Sequence, residues 1–146
     1  MKKTSSVIYL LFLILFLLAG CERSSSDWIK YNTDIDGNVH SYKMDNYEED
    51  GKITVQVWRK TVLSEKGKKK EIQFLTNNGV STKGFDKLSE IQSTNEIDCE
   101  KKMGHLVNVS YYDTNHHILY AENNNNGTEY VIPNTNDENL LKIICQ

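Results

Sequence analysis

The chain has one proline, Pro133, and three cysteines in 146 residues. So little proline excludes polyproline segments and proline-rich linkers. Three cysteines are too few for a disulfide-dense scaffold. No internal repeat of roughly 20–50 residues occurs, which excludes solenoids and propellers. A basic excess is also missing: 17 Lys and Arg stand against 20 Asp and Glu, a net charge of −3. A mildly acidic chain lacks the electrostatic footprint of a nucleic-acid binder. No nucleophile–base pairing, paired catalytic carboxylates or metal-ligand spacing is present, so the chain is not read as an enzyme and no cofactor is expected.

There is a single long apolar run, Val7–Ala19, 13 residues behind Lys2 and Lys3. As a helix it would span ~20 Å of a hydrocarbon core ~30 Å thick, the length of a signal-peptide core rather than a membrane span. It ends in Leu18-Ala19-Gly20-Cys21. Small residues before a cysteine form a bacterial lipoprotein cleavage site, because the thiol takes a diacylglyceryl thioether. Residues 1–20 are therefore read as a signal peptide and Cys21 as the lipidation site, carrying palmitate-type acyl chains that hold the protein to a membrane. Glu22 follows where an inner-membrane lipoprotein would carry aspartate, which favours the outer membrane. Residues 21–27, rich in serine, read as a flexible tether, and residues 28–146 as one domain.

Cysteine usage fits an extracytoplasmic location. With Cys21 lipidated, Cys99 and Cys145 remain, and an oxidising compartment leaves them one pairing. A reactive thiol is the alternative, but neither has a histidine as sequence neighbour.

The domain reads mainly as strands. Trp28–Tyr31 and Val39–Met44 flank the turn signal Asp36-Gly37. In Ile53–Val62, alternation puts Ile53, Val55 and Val57 on one face and Thr54, Gln56, Trp58 and Lys60 on the other. Glu65–Lys70 reads as a polar loop tip, with Ile72–Leu75 pairing back as a hairpin. Residues 76–90 are harder to read: Phe85, Leu88 and Ile91 are spaced for one helical turn on a core, with a mobile loop as the alternative. Ser93–Cys99 alternates weakly. Leu106–Tyr112 and His117–Glu122 form a hairpin whose inner face takes Val107, Val109, Tyr111, Ile118 and Tyr120 if Tyr112 faces His117. Tyr130–Ile132 is the last strand, stopped by Pro133. A helix then begins at Thr135, with Glu138 completing a capping box and Leu140, Leu141 and Ile144 as its apolar stripe. The fold class is α+β: a small antiparallel sheet with a C-terminal helix packed on it.

Several stretches together resemble the surface-adhesin E family of bacterial surface lipoproteins. They are Trp28; Tyr42-Lys43-Met44-Asp45 before Val55-Gln56-Val57-Trp58; Ile97-Asp98-Cys99; and Ile132-Pro133-Asn134-Thr135 leading to Leu140–Cys145. Tyr130 stands where the family often has tryptophan. The resemblance implies a disulfide between sheet and helix, surface display, and a protein partner such as the host matrix proteins vitronectin or laminin. A structural envelope lipoprotein binding another bacterial protein is the alternative.

Asn32-x-Asp34-x-Asp36-Gly37 matches the opening half of a calcium loop, but the twelfth position is Lys43, so a hairpin turn is expected instead. His105, His116 and His117 lie too far apart on the proposed hairpin to share an ion. The candidate partner-binding residues are Trp58, Tyr112, Lys66, Lys68, Lys69 and Lys70. For Trp58, cover by a loop or by the C-terminal helix is the favoured reading over an open binding surface.

Overall fold

The computed structural model describes residues 28–49, 52–124, 129–130 and 134–146. Cys21, the leader, the tether, the Asp50-Gly51 turn, Ile132 and Pro133 lie outside them.

Seven strands form one antiparallel sheet: β1 (Ile29–Thr33), β2 (Val39–Glu49), β3 (Lys52–Val62), β4 (Leu88–Asp98), β5 (Met103–Asp113), β6 (Ile118–Asn123) and β7 (Glu129–Tyr130). The first six pair in chain order, and β7 pairs with the start of β5. The described residues also form two helices, α1 (Glu65–Asn77) and α2 (Asn136–Ile144). The expected α+β class holds, as does the bond between Cys99 and Cys145.

Both helices cover the same face. Leu140 and Leu141 of α2 pack on Tyr42, Val55, Val57 and Ile97, beside the disulfide. Leu75 and Ile72 of α1 pack with Phe85, Leu88, Ile91, Val109 and Tyr111. The two clusters share a face because cross-strand partners point the same way, and Val55 pairs with Ile97 while Ile91 pairs with Tyr111 in the same alternation. Capping of α2 follows the expected pattern: the Thr135 hydroxyl accepts from the Glu138 N–H, and the Glu138 carboxylate accepts from the Asn134 N–H.

Three expectations need correction. Residues 65–77 are a helix, not a loop tip with a returning strand. Gly67 was the misleading residue, since it reads as a turn. The Ser64 hydroxyl caps this helix by accepting from the Gly67 N–H at 2.9 Å. Helix-forming Lys, Glu, Gln and Leu then dominate, while Ile72 and Leu75 supply a narrow apolar edge. Second, Leu88 begins β4 rather than closing a helical turn; Phe85 alone of the trio lies in a short 3-10 turn, Phe85–Lys87. Third, Tyr112 faces Ile118, with a bulge at this end of the β5–β6 pair. The bulge rotates Ile118 away from the inner face, leaving it 61 % exposed, while Tyr111 and Tyr120 remain a cross-strand pair.

Gly67 is buried because α1 docks on the β1–β2 turn. A Cβ at this position would overlap the Asn38 amide. That amide accepts from the Ser64 N–H and donates to Asp34. Alanine would gain ~1 kcal/mol of helix propensity, but displacing a buried, doubly bonded amide costs roughly 2–4 kcal/mol. The clash wins, and Gly67→Ala should lower stability by about 1–3 kcal/mol in urea melts.

Candidate functional site

With both helices on one face, the opposite face of the sheet is covered by neither. Its composition can be read from the register. One row runs Lys43, Trp58, Thr94, Asn108, Asn123 across β2 to β6. The next runs Lys30, Ser41, Lys60, Gln92, Ser110, Ala121 across β1 to β6. Strands lie ~4.8 Å apart, so each row crosses roughly 20–25 Å. A third row places Val62, Glu90, Tyr112 and Ile118 beyond the second, and a fourth places Asp45, Gln56, Glu96 and His105 beyond the first.

Trp28, just before β1, folds over the first two rows. The Lys60 ammonium sits 4.7 Å from its ring centre and the Lys43 ammonium 5.1 Å. Lys43 also lies 5.4 Å from the ring of Trp58. These contacts are cation–π attractions. They bear on Trp58: neither described helix covers it, and the Lys43 side chain lies beside a half-buried ring on the face opposite them.

The lysine cluster lies elsewhere. It belongs to α1, on the other side of the sheet. Lys66 reaches Asp36 at 2.7 Å, and Lys70 pairs with the same carboxylate. These hydrogen bonds hold the Asp36 carboxyl below its ordinary value. Lys68 pairs with Glu65 at 2.9 Å, and Lys69 is exposed. Trp58 and Tyr112 therefore share a face, about 16 Å apart by strand and residue spacing, while Lys66, Lys68, Lys69 and Lys70 are excluded from any contact patch that uses both aromatics.

The calcium-like stretch is a turn. The Asp34 carboxylate accepts from the N–H groups of Asp36 and Asn38, each at 2.9 Å, and Gly37 takes a φ of +85°. His40, 7 % exposed, lies 3.0 Å from Asp34 through Nε2 and 3.1 Å from the Thr61 hydroxyl through Nδ1. Asn136 beside this ring links it to the first turn of α2, and the Arg59–Asp137 ion pair ties β3 to the same turn. Burial pushes the Asp34 carboxyl up, but hydrogen bonds from His40 and Asn38 outweigh it and hold the group at about 2. A depressed carboxylate stabilises the fold above its unfolded value and loses that contribution as pH falls through the folded one. Thermal midpoints should therefore drop between about pH 4 and pH 2, and Asp34→Asn should flatten that slope. His116 is exposed with a φ of +61°, His117 lies 3.3 Å from Asp113, and His105 is on the open face. Among the described residues no three His, Cys, Asp or Glu side chains are placed to hold a metal ion.

Trp28, Lys43 and Lys60 were missed as site residues. Alternation in β3 already placed Trp58 and Lys60 together, but only the β2–β3 register puts Lys43 directly opposite Trp58.

These features define a small, disulfide-stapled α+β domain that presents an open, aromatic and cationic sheet face. The surface-adhesin protein E family matches residues 28–146, and the chain belongs to that family. No curated protein and no solved structure matches it. The family is one of surface adhesins, which implies a location at the cell surface. Among the described residues no helix is long and apolar enough to cross a membrane.

Proposed function

We propose that the protein is a surface-displayed, lipid-anchored adhesin that binds a host matrix protein of the vitronectin or laminin kind through the open face of its sheet. The carrying observation is the placement of Trp28, Trp58, Lys43 and Lys60 on the face opposite both helices, in a domain of the adhesin family. Half-buried aromatics backed by a rigid sheet give contact area at little cost in side-chain entropy. The anchor reading rests on Leu18-Ala19-Gly20-Cys21 and supplies tethering at the outer membrane.

Two measurements on intact cells test this reading. The mature N-terminal peptide should carry acyl chains on Cys21, and Cys21→Ala should leave an unacylated form. External protease should remove the domain, and the full-length protein should bind immobilised vitronectin or laminin saturably. A domain sheltered from protease, with no matrix binding, would favour the envelope-partner alternative.

A further inference from the structure

The open face is not uniform. Its first two rows contain lysines, amides and hydroxyls with no acidic side chain, whereas Asp45 and Glu96 lie on one flank and Glu90 on the other. The result is an acid-free band two rows wide, running across the strands.

Among the described residues some cations are ion-paired and others are in no ion pair, Lys69 and Lys83 as well as Lys43 and Lys60. Arg59, Lys66, Lys68, Lys70, Lys101 and Lys142 each hold a carboxylate. Lys43 and Lys60 hold none among the described residues, and both lean over one ring, that of Trp28. Two ammonium groups 5.1 Å and 4.7 Å from one ring centre are at most about 10 Å apart, so an anionic group at the edge of that ring would feel both charges. Further along the band, Thr94, Asn108 and Ser110 offer donors and acceptors spaced by the sheet, while the Gln92 amide donates to Glu90 at 2.6 Å.

We propose that this band binds a sulfated, uronate-bearing glycan of the glycosaminoglycan class. A sulfate or carboxylate sits between Lys43 and Lys60. A sugar ring packs beside Trp58, since aromatic faces match the apolar faces of pyranoses. The amides and hydroxyls take the ring hydroxyls. An anionic membrane is the poorer fit, because a flat headgroup layer would also press against Asp45 and Glu96, whereas a linear chain confined to the band avoids them. The inference rests on the open face being the adhesive surface, and it names the partner chemistry of one end of that face.

The test is binding of the full-length protein, in neutral detergent, to immobilised heparin. Wild type is compared with Lys43→Gln/Lys60→Gln and with the charge-matched control Lys69→Gln/Lys83→Gln. Expected are saturable binding, a loss of at least about tenfold in the first variant, a change under about twofold in the control, and weak competition by desulfated heparin. Far-ultraviolet circular dichroism confirms that each variant is folded. Equal loss in both variants would mean non-specific charge attraction and would overturn the proposal. So would displacement of heparin by phosphatidylglycerol micelles at equal anion concentration, which would assign the band to lipid headgroups. Vitronectin and laminin are run on the same protein. If they bind and heparin does not, the glycan inference falls while the adhesin reading stands. If none of the three binds, both fall.

Discussion

Replacing Cys99 and Cys145 together with alanine should lower the thermal midpoint by roughly 10–20 °C. The bond joins positions 46 residues apart. Closing a loop of that length stabilises by ~4 kcal/mol on the chain-entropy model, and each kcal/mol moves the midpoint of a domain this size by about 3–5 °C. The structure gives a second reason for a large effect. α2 has nine residues, too few to be stable alone, and its Leu140 and Leu141 close the cluster of Tyr42, Val55, Val57 and Ile97. Without the staple, α2 depends on its packing, its Thr135 cap and the Arg59–Asp137 pair. Scanning calorimetry of wild type and the double variant measures the difference. A shift of under about 3 °C would mean that packing alone holds the helix.

Phe85→Ala should cost about 3–5 kcal/mol of stability, whereas Trp58→Ala should cost about 1 kcal/mol or less. Phe85 is 2 % exposed and fills the space between α1 and the sheet, against Leu75, Leu88 and Tyr111. Its removal opens a cavity that the strand backbones cannot collapse to fill. Beneath the same helix, the Tyr111 hydroxyl donates to the Glu71 carboxylate at 3.1 Å, and burial raises the pKa of both groups. The weakened layer thus holds a polar pair that needs its dry surroundings kept intact. Trp58 has no helix above it, so its truncation removes contacts with lysine stems and little else. Urea melts of the two variants should separate clearly. Equal losses would show that the outer face is as structural as the inner one.

The strands were legible where one face is buried and the other is not. Val55 and Val57 against Gln56 and Trp58 is such a pattern, and β3 carries it. The capping box at Thr135 and Glu138 made α2 readable, and cysteine arithmetic with the resemblance made its staple readable. α1 was hidden because its apolar edge is thin and because Gly67 and four lysines imitate a loop. What decides its state is tertiary: the Asn38 amide and the Asp36 carboxylate, about thirty positions away, receive the Ser64 cap and two of those lysines. The open face was half legible. Alternation located Trp58 and Lys60 on one side of β3, yet which side the helices would cover depends on packing between distant segments. Lys43 joins the site only through strand register, and Trp28 only by folding back onto Lys43 and Lys60, neither of which single-strand patterns encode.

The central claim is that the partner is held on the face opposite the helices. The most direct measurement is the affinity of the full-length protein for one immobilised matrix protein, taken for wild type, Trp58→Ala and Lys66→Gln/Lys70→Gln. A central aromatic contributes about 2 kcal/mol or more to such a contact. Because the lysine variant loses two pairs to the largely buried Asp36 carboxylate, far-ultraviolet circular dichroism checks that α1 is still folded in it. The account predicts a loss of roughly thirtyfold for Trp58→Ala and a change within about twofold for the lysine variant. Undiminished binding by Trp58→Ala, with a large loss in the α1 variant, would contradict it and put the adhesive surface on the helical side.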